Sequence, residues 1–438
     1  MAPRLCPTCP ARTLVQEPRS RCVRRRRPFP FPDVYIFITS SLFKAATGLG
    51  ENGGGDSIKV LDISAREEDS DLGVTLRHVR YGSKSTDTPR RALSLTTTGL
   101  SEALANLHSN TEGMVEVYRE LTPDFLNDID GDARKQAFFT RGLFRRVSQL
   151  PNANQLILLI FAFREKGYCP NPSEAEYLAN LSAAPFVDAT SLPAVIPTDV
   201  DSFLAYAKSF LDAMESANGV AVLGYLPTFA RRDLLKVIDF YIKRDIKDLI
   251  IEFNGHHAGI LYPTVRLAAS RLQAASGKNF LIHGLNVGPG AFRRKVDAGP
   301  ARDFLALVSG VDSMGPKHIR RKMPPEVWER LAAESGKARR LFARRDYGYY
   351  QSGVFPRRVN SEREEGAIRL SSVLKNPTPE SVHLFNAERQ ALETGMVRMK
   401  LADESLLDYV RSKTRIREDI DKITQTRRLE DYTESKGR

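Results

Sequence analysis

Between residues 57 and 315, short apolar runs alternate with longer stretches whose apolar residues recur at i, i+3, i+4 and i+7. The short runs are IKVLDIS (58–64), RALSLTT (91–97), QLILLIFAF (155–163), PFVDAT (185–190), GVAVLGYLP (219–227), DLIIEFNG (248–255), NFLIHGLNV (279–287) and GVDSMG (310–315). They lack strict alternation, as strands do when both of their faces are covered. The helical period runs through 199–216, 231–244 and 263–276. Strand–helix units repeating over roughly 250 residues predict an α/β fold, a (β/α)8 TIM-like barrel over 57–323, with a doubly wound open sheet as the alternative. Past 324 the pattern changes to long charged helices near 324–345, 379–398 and 403–428, so 324–438 reads as a C-terminal helical appendage. Residues 1–56 read as a disordered basic leader that ends in the Gly-rich linker GLGENGGGD.

Charge changes this picture locally. Of the net +12, residues 1–33 carry +6 and residues 317–345 carry +7, which leaves about −1 for the rest. A basic segment directly after the last barrel run suits a phosphate backbone; a solvated helix face is the structural alternative. The four cysteines do not make a disulfide framework in a chain of 438 residues. Cys6-Pro-Thr-Cys9 is half a zinc spacing without a second half, and neither H-x-H nor H-E-x-x-H occurs, so no metal and no cofactor are expected. No apolar run is long enough to span a membrane. The prolines between the leader's arginines and VYIFITSSLF argue against a secretion signal, and a cytoplasmic protein is expected.

In a barrel of this type the chemistry gathers where strands end. Reading the runs to their ends gives Asp188, Tyr225, Glu252 with Asn254, His256 and His257, His283 with Asn286, then Asp312 followed by Lys317 and His318. Turn chemistry accounts for Asn254-Gly255 and Gly288-Pro289. It does not account for Glu252 and His283, which lie inside apolar runs and need partners there. Each residue also has a structural reading: a cap for Asp188 or Asp312, an ion pair for Glu252, a satisfied core histidine for His283. Taken together on consecutive runs, they point to one pocket, in which Gly288 and Gly290 would let backbone approach a ligand closely.

The order of elements resembles the tRNA-guanine transglycosylase superfamily, including its DNA-modifying 7-deazaguanine relatives. The likeness extends over about 80–430 and rests on short echoes. They are TDTPRRALSLTTTGLSEAL (86–104), FVDATSLPAVIPTDVDSFLAYAKSFLDA (186–213), AVLGYLPTFARRDLLKVIDFYIKRDIKDLIIEFNG (221–255), FLIHGLNVGPGAF (280–292) with DFLALVSGVDSMGPKHIRR (303–321), and HLFNAERQALE (383–393). The resemblance implies exchange of a guanine-type base for a 7-deazaguanine in tRNA or DNA. Asp312 would then be the nucleophile and Asp188 the group that reads the base. Tyr225, Glu252, Asn254, His283 and Asn286 would line the pocket, and Lys317, His318, Arg320, Arg321 and Lys322 would hold the nucleic acid. The chain departs from the family where Gly315 stands at the place of the second Asp of D-x-F-D, where D-S-G-G-F-Q has no counterpart, and where the zinc cysteines are missing.

The expected partners are therefore nucleic acid and a purine or 7-deazapurine base, with no membrane; a homodimer is a compatible assembly. Two other functions remain open at this level. One is a non-catalytic nucleic-acid-binding relative, and the other a TIM-barrel enzyme on a small sugar or phosphate substrate.

Overall fold

A computed structural model describes residues 59–95, 107, 111–148, 150, 154–217, 219–290, 297–319, 324, 326, 340–355, 368–375 and 378–436, all within the compact unit Asp56–Arg438. The expectations for the leader, the linker, Arg320, Arg321 and Lys322 lie outside the described residues.

The core of the unit is a nearly closed barrel of parallel strands. Its strands are β4 (Arg90–Arg91), β5 (Leu93–Ser94), β6 (Met114–Leu121), β7 (Leu156–Lys166), β8 (Ala189–Ser191), β9 (Ala194–Ile196), β10 (Ala221–Leu226), β11 (Leu249–Glu252), β12 (Ile282–Leu285) and β14 (Ser313–Met314). The hydrogen-bonded order is β4-β14-β12-β11-β10-β8-β7-β6-β5, with β9 beside β7. The two ends of this order are separated in the chain by Ala92 alone, so the sheet curls back almost onto itself. Register is held best between β6 and β7, where Met114 to Leu121 face Leu156 to Phe163 in unbroken sequence. Residues 156–163 are buried at every position, as their run of apolar residues requires.

Helices cover the outside. α1 (Pro123–Asp130), α2 (Ala133–Val147), α3 (Pro172–Ser182), α4 (Val200–Ala217), α5 (Arg231–Lys243) and α6 (Ala258–Ser276) follow the strands in turn. α4 buries Phe203, Tyr206, Ala207, Phe210, Leu211 and Met214, the 3.6-residue stripe seen in the sequence. α3 starts on a capping box, with the Asn171 side chain on the Glu174 N–H and the Glu174 carboxylate on the Asn171 N–H.

Two further sheets flank the barrel. One is an antiparallel meander of β1 (Asp62–Asp69), β2 (Val74–Tyr81) and β3 (Lys84–Thr88). The other joins β13 (Ala298–Pro300), β16 (Gly348–Gln351) and β15 (Arg340–Ala343). This second sheet corrects the sequence reading in part: the end of the supposed helix 324–345 is a strand, paired as a hairpin with Tyr349 and Tyr350. The aromatic side chains of Phe342, Tyr349 and Tyr350, buried against neighbours, override the local charge pattern here.

The chain ends in α7 (Leu370–Lys375), α8 (Pro379–Ala402), α9 (Leu406–Arg411) and α10 (Arg417–Lys436). Leu384, Ala387, Val397, Leu401, Leu406, Val410, Ile416 and Ile420 belong to the same buried cluster as the barrel. Arg91 Nε donates to Gln390 Oε1 at 2.7 Å, and Arg398 Nη1 to the Pro89 carbonyl at 2.8 Å, so α8 is bonded directly to the strand that closes the barrel. No helix among the described residues is long and apolar enough to cross a membrane.

Candidate active site

Parallel strands give the barrel two chemically different mouths, and the structure divides the expected site residues between them. Asp188 and Asp312 precede β8 and β14, and so lie at the N-terminal mouth. Both are buried and committed to the framework. Asp188 Oδ2 accepts the Ile157 N–H at 2.7 Å and pairs with Lys84 Nζ at 2.6 Å. Asp312 Oδ2 accepts the Ile282 N–H at 2.8 Å, and its Oδ1 is ion-paired with Arg77 of the meander. Asp248, before β11, repeats the device by accepting the Leu281 N–H at 3.0 Å. A carboxylate placed before a strand pins an amide at the start of a neighbouring strand. The expectation that Asp188 and Asp312 end their strands in the shared pocket is thereby corrected.

The C-terminal mouth holds the others. His283, in β12, is fully buried, with Nδ1 2.9 Å from Ser313 Oγ and Nε2 2.9 Å from Glu116 Oε2. A carboxylate only accepts, so the shared proton is on Nε2. His318 Nε2 bonds the other oxygen of Glu116, and its ring lies flat on Tyr118 with centroids 4.0 Å apart. Asn286 Oδ1 takes the backbone N–H groups of His318 and Ile319 at 2.8 and 3.1 Å. Its Nδ2 donates to Glu252 Oε2 at 3.2 Å. The same oxygen receives Arg164 Nη1 at 3.3 Å and the Tyr225 hydroxyl at 3.5 Å. Arg164 in turn donates to the Tyr118 hydroxyl, with Nη2 at 2.8 Å. Glu252, His283, Asn286, Tyr225 and His318 are therefore joined in one buried network.

The remaining expected residues take outer places. Asn254 is exposed, donates its N–H to Glu252 Oε1 at 2.8 Å and its Nδ2 to Thr228 Oγ1 at 2.8 Å. Lys317 is exposed and lies over Gly255. Gly288 has a different reason from the expected one: a Cβ there would run into the Gly255 carbonyl. The loops after β11 and β12 are also bonded Gly288 N–H to His256 carbonyl at 2.9 Å. The glycine serves loop-on-loop contact.

Glu116, Tyr118 and Arg164 are essential to the network, and the sequence reading does not single them out. The signal was present: Glu116 is a charge inside the apolar stretch MVEVY, the pattern that marked Glu252, and Arg164 follows an eight-residue apolar run.

The two carboxylates are driven in opposite directions. Burial pushes the Glu116 carboxyl up, but His318 and His283 outweigh it and hold the group down at about 2. Burial raises Glu252 above its usual value, against the opposing pull of Arg164 and the Asn254 N–H. Burial and pairing thus drive the proton affinities of the two carboxylates apart.

Beside the network, a cavity of about 240 Å³ lies between the loops after β12 and β14, the strand containing Arg91, and α8. Gly315 is its shared wall with Glu116: it lines the cavity, and a Cβ on it would meet the Glu116 carboxylate. Among the described residues, no three or more His, Cys, Asp or Glu side chains are grouped to hold a metal ion. No protein-family model matches the chain, and no curated protein matches it significantly. The chemistry of the site therefore follows from its geometry.

Proposed function

We propose that this protein is a (β/α)8-type barrel enzyme with a helical C-terminal region that exchanges a guanine-type base for a 7-deazaguanine in tRNA or DNA. Glu116 takes the role that the family resemblance implies for Asp312. The observation that carries the reading is the pair of buried carboxylates at one mouth, Glu116 held ionised and Glu252 raised.

Ionised Glu116 suits attack on the anomeric carbon of a nucleoside, forming a C–O bond as the C–N bond to the base breaks. The electron pair leaves with the base. Glu252, whose burial favours the protonated form, is the group to supply a proton to that base and to take one back when the incoming base attacks the anomeric carbon and releases Glu116. The network joins the two carboxylates through His318 and Asn286. His318 must release its Glu116 oxygen for the attack. It lies in the basic segment, whose first residue, Lys317, is exposed beside the mouth and suits a phosphate backbone. The expected setting is the cytoplasm.

A small sugar or phosphate substrate is the second reading, favoured by Arg91, Lys317 and Arg340 around the cavity. One experiment decides between them. Purified protein is incubated with labelled guanine and, separately, bulk tRNA or duplex DNA, with Glu116→Gln and Asp312→Asn alongside. Label should enter one polymer with wild type and with folded Asp312→Asn, and not with Glu116→Gln. Absence of label from both polymers with folded wild type would sink base exchange.

A further inference from the structure

The outer wall of the barrel carries the most exposed large apolar side chain among the described residues, and it stands in a row of cations. α2 packs one side on the barrel through Phe139 and Leu143, with the Phe139 ring centroid 6.1 Å from that of Phe161 in β7. The opposite side faces solvent. At 3.6 residues per turn, Arg134, Phe138, Arg141 and Arg145 follow one another along that side at i, i+4, i+7 and i+11, and all four are exposed. Phe138 is 79% exposed, and Phe144 on the flank is 52% exposed. Gly142, one turn after Phe138, is exposed as well, and a Cβ there would meet nothing within 4 Å. Packing does not require this glycine, and a glycine inside a helix weakens it relative to alanine.

The charges are not explained by the fold either. α2 contains Arg134, Lys135, Arg141, Arg145 and Arg146 and no acid. Lys135 pairs with Asp128 of α1 at 3.0 Å, whereas Arg134, Arg141 and Arg145 form no ion pair with any described residue. The negative end of the helix dipole suits Arg145 and Arg146, but Arg134 stands at the positive end and Arg141 in neither terminal turn. Beneath the helix, the Arg119 guanidinium of β6 lies 5.6 Å from the Phe139 ring centroid. Burial, and after it the charge of Arg146, holds Arg119 below its usual value. The wall thus holds more cations than the acids that pair with them, and so attracts a polyanion.

Which polyanion follows from the rings. Arg134 lies ~6 Å before Phe138 along the helix axis, and Arg141 and Arg145 ~4.5 and ~10.5 Å after it. Single-stranded nucleic acid has this alternation, since its bases stack on open aromatic rings while arginines take the phosphates between them. A duplex keeps its bases stacked inside. A membrane needs a continuous apolar face, and that face of α2 is already buried on the barrel.

We propose that the outward face of α2, centred on Phe138 with Arg134, Arg141 and Arg145, binds single-stranded nucleic acid along the outer wall of the barrel. This surface lies outside the buried network and the cavity beside it, and the inference does not rest on base exchange.

The test is fluorescence anisotropy of a labelled oligothymidylate with the full chain over a range of salt concentrations, alongside a blunt duplex and phosphatidylserine vesicles. The variants are Phe138→Ala and the double change Arg141→Gln with Arg145→Gln. All three positions are exposed, and circular dichroism checks that the variants fold. Phe138→Ala should weaken oligothymidylate binding at least ~5-fold at an unchanged salt slope, and should leave duplex affinity as it was. The double variant should make the slope of log K against log[salt] shallower by ~1.4, the share of two phosphate contacts on a single strand. The proposal is overturned if wild type does not bind the oligothymidylate, if the folded variants bind it like wild type, or if Phe138→Ala alters binding to vesicles and not to the oligonucleotide. Lys317→Gln separates this surface from the mouth. Weakened binding in Lys317→Gln, with the α2 variants at wild-type affinity, would overturn the α2 surface and leave base exchange standing. Weakened binding in the α2 variants without label transfer by wild type would remove base exchange alone.

Discussion

The carboxylate of Glu116 fills the space into which a side chain at position 315 would project. Glycine at 315 and glutamate at 116 are thus one steric unit, formed by strands far apart in sequence. Gly315→Ala is predicted to push Glu116 off His283 and His318 and to lower exchange activity by at least ~100-fold, the size of effect expected from displacing a reacting group by about an ångström. Gly353→Ala, where the surroundings are open, is the control and should be silent. Initial rates of label transfer with circular dichroism on both variants check this. A fully active Gly315→Ala would show that Glu116 is not the reacting carboxylate.

Asp312 is expected to matter for folding and not for chemistry. It is buried against Arg77, whose guanidinium also lies 4.3 Å from the Phe280 ring centroid. Removing one partner strands the other charge in a dry site, at a cost of about 3–5 kcal/mol. Asp312→Ala should lower the denaturant midpoint accordingly. Asp312→Asn, which keeps an acceptor for the Ile282 N–H, should lose less. The specific activity of the folded fraction should match wild type in both. A selective loss of kcat in well-folded Asp312→Asn would return Asp312 to the reaction.

The misplacement of Asp188 and Asp312 shows how far the sequence could lead. The alternation of runs placed most of the barrel strands correctly, because burial on both faces writes a clear apolar signature. It could not fix where each run begins. PFVDAT and GVDSMG read naturally as strands that end on or just after the acid, while in the fold the strand starts one residue later. In a parallel barrel that small displacement carries a side chain from one mouth to the other. Glu252 and His283 escaped the error because apolar residues precede them within their strands. The second sheet and the docking of α8 were illegible for another reason: they depend on Gln390 meeting Arg91 across 299 residues and Tyr349 across 41.

Glu252 is predicted to set the alkaline limb of the pH–rate profile. Its folded pKa is raised, so it keeps its proton at pH values where a free glutamate, with a pKa of about 4.3, has lost it. Activity that needs the protonated form should decline as pH rises through the raised value. Glu116, held at about 2, stays ionised over the whole working range and adds no limb there. Glu252→Gln should therefore be slower, by roughly 100-fold or more, and lack the alkaline limb in kcat/KM. An unchanged alkaline limb in that variant would assign it to another group.

Asp248 should leave a signature in stability rather than rate. Burial raises its carboxyl to about 7, against the Leu281 N–H and Lys247, and its Oδ2 has no hydrogen-bond partner. The folded state therefore binds this proton more tightly than the unfolded chain, in which an aspartate titrates near about 3.9. Its contribution to stability is complete below pH ~4 and is lost progressively as pH rises to about 7, at about 1.4 kcal/mol for each pH unit crossed. Asp248→Asn keeps an acceptor for the Leu281 N–H and has no proton to lose. The melting temperature of the variant minus that of wild type should accordingly rise between pH ~4 and pH 7 and level off above. Thermal melts across that range measure the difference directly, and a difference independent of pH would mean that Asp248 is ionised in the folded protein throughout.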